Sequence, residues 1–214
     1  MQVINKDTDQ GLGNIFLKKA GGTFGLRILF LLMTFMTTIA LTRLLGPSQF
    51  GSFTYAISWV TLLKFPALLG FQFLAVREIP KYIRSHKWGQ LRGFLNCSSV
   101  CVALLSTLIA ITGYVVFGTI NFGLDEATIS ATRWAMVLLP ILTQVRLLEG
   151  FIRGSGSILL SQIPLWLFRP LFFLLFVFTA GFVMGLDAPR AVILRIITLA
   201  ATLLAGMLML RQLL

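Results

Sequence analysis

Lys64 and Arg169 stand near the middle of two long apolar stretches, 52–75 and 158–181, in a chain whose apolar segments hold almost no acid. Each cation lies about 6 residues or fewer from the midpoint of its stretch. That is roughly 10 Å or more from either end at a helical rise of ~1.5 Å per residue. A charge at that depth in hydrocarbon costs roughly 2.5–3.5 kcal/mol on insertion scales. A chain keeps such a charge where it faces a polar cavity, a partner or a ligand. No Asp or Glu stands beside either residue in sequence, so the pair points to an anionic ligand or to acids elsewhere in the molecule.

Polar side chains recur around these cations at helical spacing. In the first apolar segment Thr23, Arg27, Thr34, Thr38 and Thr42 fall within about 100° of arc, and the other positions are mostly Leu, Ile, Phe and Met. The fifth segment has Gln162, Trp166 and Arg169 on one face, and the sixth has Arg195, Thr198 and Thr202. In the second, Thr54, Ser58, Thr61 and Gln72 share a side, with Lys64 about 60–80° away and Tyr55 and Trp59 adjacent. Hydroxyls and aromatic rings beside a cation suit a sugar–phosphate ligand, because rings pack on sugar faces and cations hold phosphate. Packing through threonine between helices is the competing reading of the stripes. The candidate binding set is Arg27, Lys64, Arg169, Arg195, Thr34, Thr38, Trp59 and Gln162.

Catalysis finds little support. The apolar segments hold no carboxylate pair for acid–base work, and there is no nucleophile–histidine arrangement and no phosphate-cradling glycine loop. His86 is the sole histidine, and Cys97 and Cys101 are the only cysteines, so no metal-ligand set and no cofactor is expected. Glu78 and Glu149 are the acids nearest the apolar segments, each at an edge, and Glu149 reads as a surface ion pair with Arg146 and Arg153.

These side chains must be carried by membrane helices. The chain has 214 residues, 57% hydrophobic and 12% charged, with a mean hydropathy of +0.90. A soluble domain carries about 25% charged residues. An all-α, multi-pass membrane bundle of six helices is expected near 24–45, 52–75, 94–117, 132–151, 158–181 and 191–210. Residues 1–23 form a cytoplasmic or interfacial lead-in, and 24–214 form the bundle. Charge alternates between the loops. Lys6, Lys18 and Lys19, the segment 77–92, Arg146 and Arg153, and Arg211 fall on one side; Asp125, Glu126 and Asp187 fall on the other. The positive-inside rule puts both termini in the cytoplasm, and an even number of spans agrees. The net charge of +11 is placed in short loops, so it favours anionic lipid headgroups as partners and not nucleic acid.

Arg43 to Gly51 reads R-x-L-G-P-x-x-F-G, followed by an aromatic and small-residue helix, Leu69–Gly70–Phe71, and a basic loop. This stretch, 41–95, resembles the start of a polysaccharide-biosynthesis flippase of the multidrug/oligosaccharidyl-lipid/polysaccharide exporter superfamily. The resemblance implies the N-terminal six-helix lobe of a protein in which two such lobes face each other across a cationic cavity. It implies transfer of a polyprenyl-(pyro)phosphate-linked oligosaccharide across the cytoplasmic membrane, by alternating access and without enzymatic chemistry. Arg27 and Lys64 match positions where such proteins place cavity cations. Implied partners are the lipid-linked substrate, a second lobe or another copy, and glycan-polymerising machinery. A drug or cation exporter of the same superfamily, or a non-transporting scaffold subunit, stands as the alternative.

Overall fold

The computed structural model describes residues 6–119, 123–156, 169–183 and 187–213. Every element among them is an α-helix: α1 Lys6–Leu68, α2 Phe71–Arg84, α3 Trp88–Thr119, α4 Glu126–Gly154, α5 Arg169–Val183 and α6 Ala188–Leu213. Four segments are long and apolar enough to cross a membrane: Arg27–Leu68, Trp88–Thr119, Glu126–Gly154 and Ala188–Leu208. This is an all-helical membrane protein.

α1 is two helices joined at a break. Gly46 has φ 74° and ψ 167°, a backbone conformation open only to glycine. Pro47 follows as the first residue of the second arm, where a missing N–H costs nothing. The chain reverses there. Phe30 and Phe65 line one cavity, yet a straight helix would hold them about 50 Å apart. The second arm therefore begins at Pro47 and ends at Leu68, where the sequence reading expects 52–75. Leu69 (φ 46°) and Gly70 (φ 73°) end it, and α2 starts afresh.

α4 is the central post, packing against α1, α2, α3 and α6. Its small residues let neighbours approach. Ala131 and Ala135 are fully buried in the half of the bundle near Gly46. In the other half a Cβ on Gly150 would meet the Gln72 carbonyl oxygen at 2.7 Å, and one on Gly154 the Ala75 carbonyl oxygen at 2.8 Å. Such close backbone contact drives helix association where lipid removes the hydrophobic contrast.

The connections sort by charge. At one end Gln49 Oε1 accepts from Ala188 N (3.1 Å), and the Ser52 and Thr128 hydroxyls meet at 2.8 Å. The Gly46 reversal and the starts of α4 and α6 therefore meet at that end, with Asp125, Glu126 and Asp187. α2 and the end of α4 lie at the other, with Arg77, Lys81, Arg84, Arg146 and Arg153. There Lys81 (2.8 Å) and Arg77 (3.0 Å) bond the Glu78 carboxylate. The hydrogen bond from Lys81, and then that from Arg77, hold the Glu78 carboxyl below its usual range, so it stays ionised.

Glu149 is a correction to the sequence reading. It is buried, not on the surface, and accepts from Arg146 (3.1 Å) and Arg153 (2.6 Å).

Gly150→Ala should lower the thermal stability of the detergent-solubilised protein, because overpacking a tight seam costs about 1–3 kcal/mol. Gly51→Ala, with nothing within 4 Å of its Cβ, should leave the melting temperature unchanged or higher. Equal melting of both variants would remove the α2–α4 seam as a stabilising contact.

Candidate functional site

The two arms of α1, with α5 and α6, line an open-sided cavity of about 570 Å³. Its lining mirrors about Gly46. Leu41 faces the level of Phe50, Thr38 that of Thr54, Thr34 that of Ser58, and Phe30 that of Leu62. Members of each pair lie almost equally far along the two arms. The threonine stripe expected on the first segment and the hydroxyl stripe on the second are thus two walls of one space.

Most of these hydroxyls donate to the carbonyl one turn back: Thr37 to Met33 (2.7 Å), Thr38 to Thr34 (2.9 Å), Ser58 to Thr54 (2.9 Å) and Thr198 to Leu194 (2.8 Å). Their proton is used within the helix, and their lone pairs face the cavity as acceptors. The hydroxyls of Thr34, Thr54 and Thr61 have no hydrogen-bond partner among the described residues. They remain able to donate to a ligand.

Arg195 supplies the positive charge of the lining. It stands seven residues into α6 from Ala188, about 10 Å along the axis. Its guanidinium carbon lies 5.6 Å from the Phe53 ring and 5.5 Å from the Phe173 ring. Those rings lie 6.4 Å apart at 14°. A guanidinium held against aromatic faces gains roughly 0.5–2 kcal/mol and keeps its N–H groups for another partner. Among the described residues no carboxylate lies within ion-pair distance of Arg195, and none lines the cavity.

The candidate residues divide. Arg195, Thr34 and Thr38 line the cavity. Arg27 does not, but it is exposed on the same stripe, one turn beyond Phe30. Lys64 is half-buried, four residues from the end of its helix at Leu68, with Nζ 4.8 Å from the Phe65 ring. It stands near a helix end and not mid-helix, because the break at Leu69 shortens the stretch that the sequence suggests. Trp59 does not line the cavity and packs edge-on against Phe117 (5.5 Å) and Tyr55 (6.4 Å). Gln162 and the Arg169 side chain lie outside the described residues; the neighbouring Pro170 lines the cavity. Thr202, on the sixth-segment stripe, is fully buried and bonded to the Thr198 carbonyl (2.7 Å).

Phe53 and Phe173 line the cavity against Arg195, and sequence reasoning passes over them. Each looks like any lipid-facing phenylalanine in an apolar run. Only the packing of α1 on α5 reveals them as the seat of Arg195.

A family model described as polysaccharide biosynthesis protein matches residues 16–214, which include every wall of the cavity. No curated protein and no solved structure matches the chain.

In a background with Cys97 and Cys101 replaced by alanine, Thr34→Cys and Ser58→Cys should react with a water-soluble maleimide in membranes. Thr202→Cys should stay unmodified. Equal protection of all three would make the hydroxyl stripes dry packing seams.

Proposed function

The chain belongs to the polysaccharide biosynthesis protein family of the multidrug/oligosaccharidyl-lipid/polysaccharide exporter superfamily, and from that premise we propose that it forms one lobe of a flippase. In this reading it moves a polyprenyl-(pyro)phosphate-linked oligosaccharide across the cytoplasmic membrane and makes or breaks no covalent bond. The doubled α1 counts as two spans and the segment around α5 as a fifth, so the lobe has six. Both termini then face the cytoplasm, with the basic end of the bundle.

Arg195 is the observation that carries this reading: a guanidinium in a cavity wall, seated on two rings, with no acid beside it among the described residues. A buried cation without a carboxylate is costly unless a mobile anion visits it. A phosphate or an acidic sugar is such an anion, and the planar fork of arginine can bind it through two parallel hydrogen bonds. The acceptor-rich threonine walls suit the hydroxyls of a glycan, and the phenylalanines suit its apolar faces. A cation exporter would want acids in that wall, and the described lining holds none. The exposed polar wall also needs cover from lipid, which a second lobe or another copy supplies. Alternating access follows from rocking of the two lobes about the cavity.

Arg195→Ala should reduce glycan export at least about tenfold, the loss expected for a charge-assisted hydrogen bond of roughly 1.5–3 kcal/mol. The protein level should hold, since no ion pair is broken. Arg195→Lys should keep part of the activity. Glu149→Ala is the contrast. It strands two arginines around a buried site and should lower abundance, because breaking a buried pair costs about 3–5 kcal/mol. Export and membrane protein level in complemented null cells, in the two-lobed context that supports transport, are the readouts. Normal export by Arg195→Ala at normal abundance would refute the anionic-substrate reading.

Cysteine placed at Ser48 or Asp125 should be labelled from outside intact cells, and at Ser85 only after permeabilisation. Outside labelling of Ser85 would invert the orientation.

A further inference from the structure

The mirror register of α1 places a second group of positive charge that the cavity lining alone does not show. Arg27 stands 19 residues before Gly46 and Lys64 stands 18 after it, so the antiparallel arms carry them at the same height. Both lie at the end of the cavity away from Gly46. Arg27 is exposed one turn beyond Phe30, and Lys64 lies over the ring of Phe65, its neighbour in the cavity floor. Arg195 is fixed at the other end by its contact with Phe53, seven residues from Gly46. Thr38 shares that height. From Thr38 to Arg27 is 11 residues, about 16 Å along the arm. Hydroxyls and phenylalanines fill the interval, and no described charge lines it.

We propose that the cavity has two separate anion stations: a lower one at Arg27 and Lys64, and an upper one at Arg195. A phosphate is taken at the lower station, on the basic end of the bundle, and passed to the upper across the hydroxyl wall. The proposal rests on the flippase reading and deepens it. The physical ground is separation. A gap of about 16 Å exceeds the screening length of roughly 8 Å at physiological ionic strength and the span of one pyrophosphate, so the two stations cannot hold the same group at once. The interval supplies polar groups of both kinds. The Thr34, Thr54 and Thr61 hydroxyls, without a hydrogen-bond partner among the described residues, can donate to an anion in passage, so it is not bare between stations. Two sites of moderate strength also favour release, because movement needs binding that is weak enough to leave.

The test uses the full chain, without its two native cysteines, in nanodiscs of phosphatidylcholine. Thr38→Cys reports the upper station and Thr61→Cys, one turn from Lys64, the lower. The rate of maleimide modification is measured against added inorganic pyrophosphate, and separately with undecaprenyl phosphate in the disc. Protection by the lipid at lower concentration than by pyrophosphate identifies a lipid headgroup; equal protection identifies a free phosphate. Either result supports the stations if the following separation holds. Arg195→Gln should raise the half-protecting concentration at position 38 about tenfold or more and leave position 61 within about twofold. Arg27→Gln with Lys64→Gln should do the reverse. Arg195→Lys, which keeps the charge, should restore protection at position 38, and it replaces Arg195→Gln if that variant does not run as a monodisperse peak. Loss of protection at both positions from either substitution would mean one continuous site and overturn the proposal while leaving the flippase reading intact. No protection at either position in the otherwise unsubstituted protein would overturn both.

Discussion

The reversal of α1 at Gly46 is the constraint on which the rest of the bundle depends. Backbone in hydrocarbon must satisfy its own hydrogen bonds, so a chain can turn back only at a membrane surface and only within a few residues. Gly46 takes the turn in a conformation closed to other residues, and Pro47 starts the return where no N–H is needed. The side chains just beyond then tie the turn down. Gln49 caps the first turn of α6 at Ala188, and Ser52 reaches Thr128 on α4. These bonds bring α4 and α6 to the same end as the turn, and the register of the cavity follows.

The cavity resolves a conflict between threonine and lipid. A hydroxyl in hydrocarbon is costly without a partner, yet the two arms carry nine serine and threonine hydroxyls from Thr34 to Thr61. Most are satisfied by the carbonyl four residues back, which makes them tolerable anywhere in a membrane helix. Local satisfaction therefore does not say whether a stripe lines a packing seam or a cavity. Here the difference is made by the neighbour. Thr202 is packed over and fully buried, while Thr34, Thr54 and Ser58 face open space across the hairpin.

Two arrangements of arginine show how charge is placed for different ends. Arg146 and Arg153 clamp a buried glutamate at the basic end of α4, beside the glycine seam that holds α2. That cluster is internally neutralised in large part and reads as structure. Arg195 has aromatic faces for company and no acid. Its charge is left uncompensated by the described protein, which is the condition for a site that a mobile anion visits.

Composition and hydropathy by themselves determined the class of this protein, its helical make-up and the segregation of basic from acidic connections, because the cost of charge in hydrocarbon acts on every residue alike. The R-x-L-G-P-x-x-F-G segment determined the family and the place of the turn, since few residues tolerate that backbone. Threonine spacing determined which faces were polar. The sequence misplaced the end of the second helix, because the break at Leu69–Gly70 lies inside an unbroken apolar run. Its periodicity also does not show that Trp59 packs against Phe117, outside the cavity lining. Which stripe faced which, which arginine sat on Phe53 and Phe173, and that Glu149 was buried were decided only by the tertiary structure. Helical periodicity fixes where a residue lies on its own helix. Only the close packing of separate helices fixes what stands opposite.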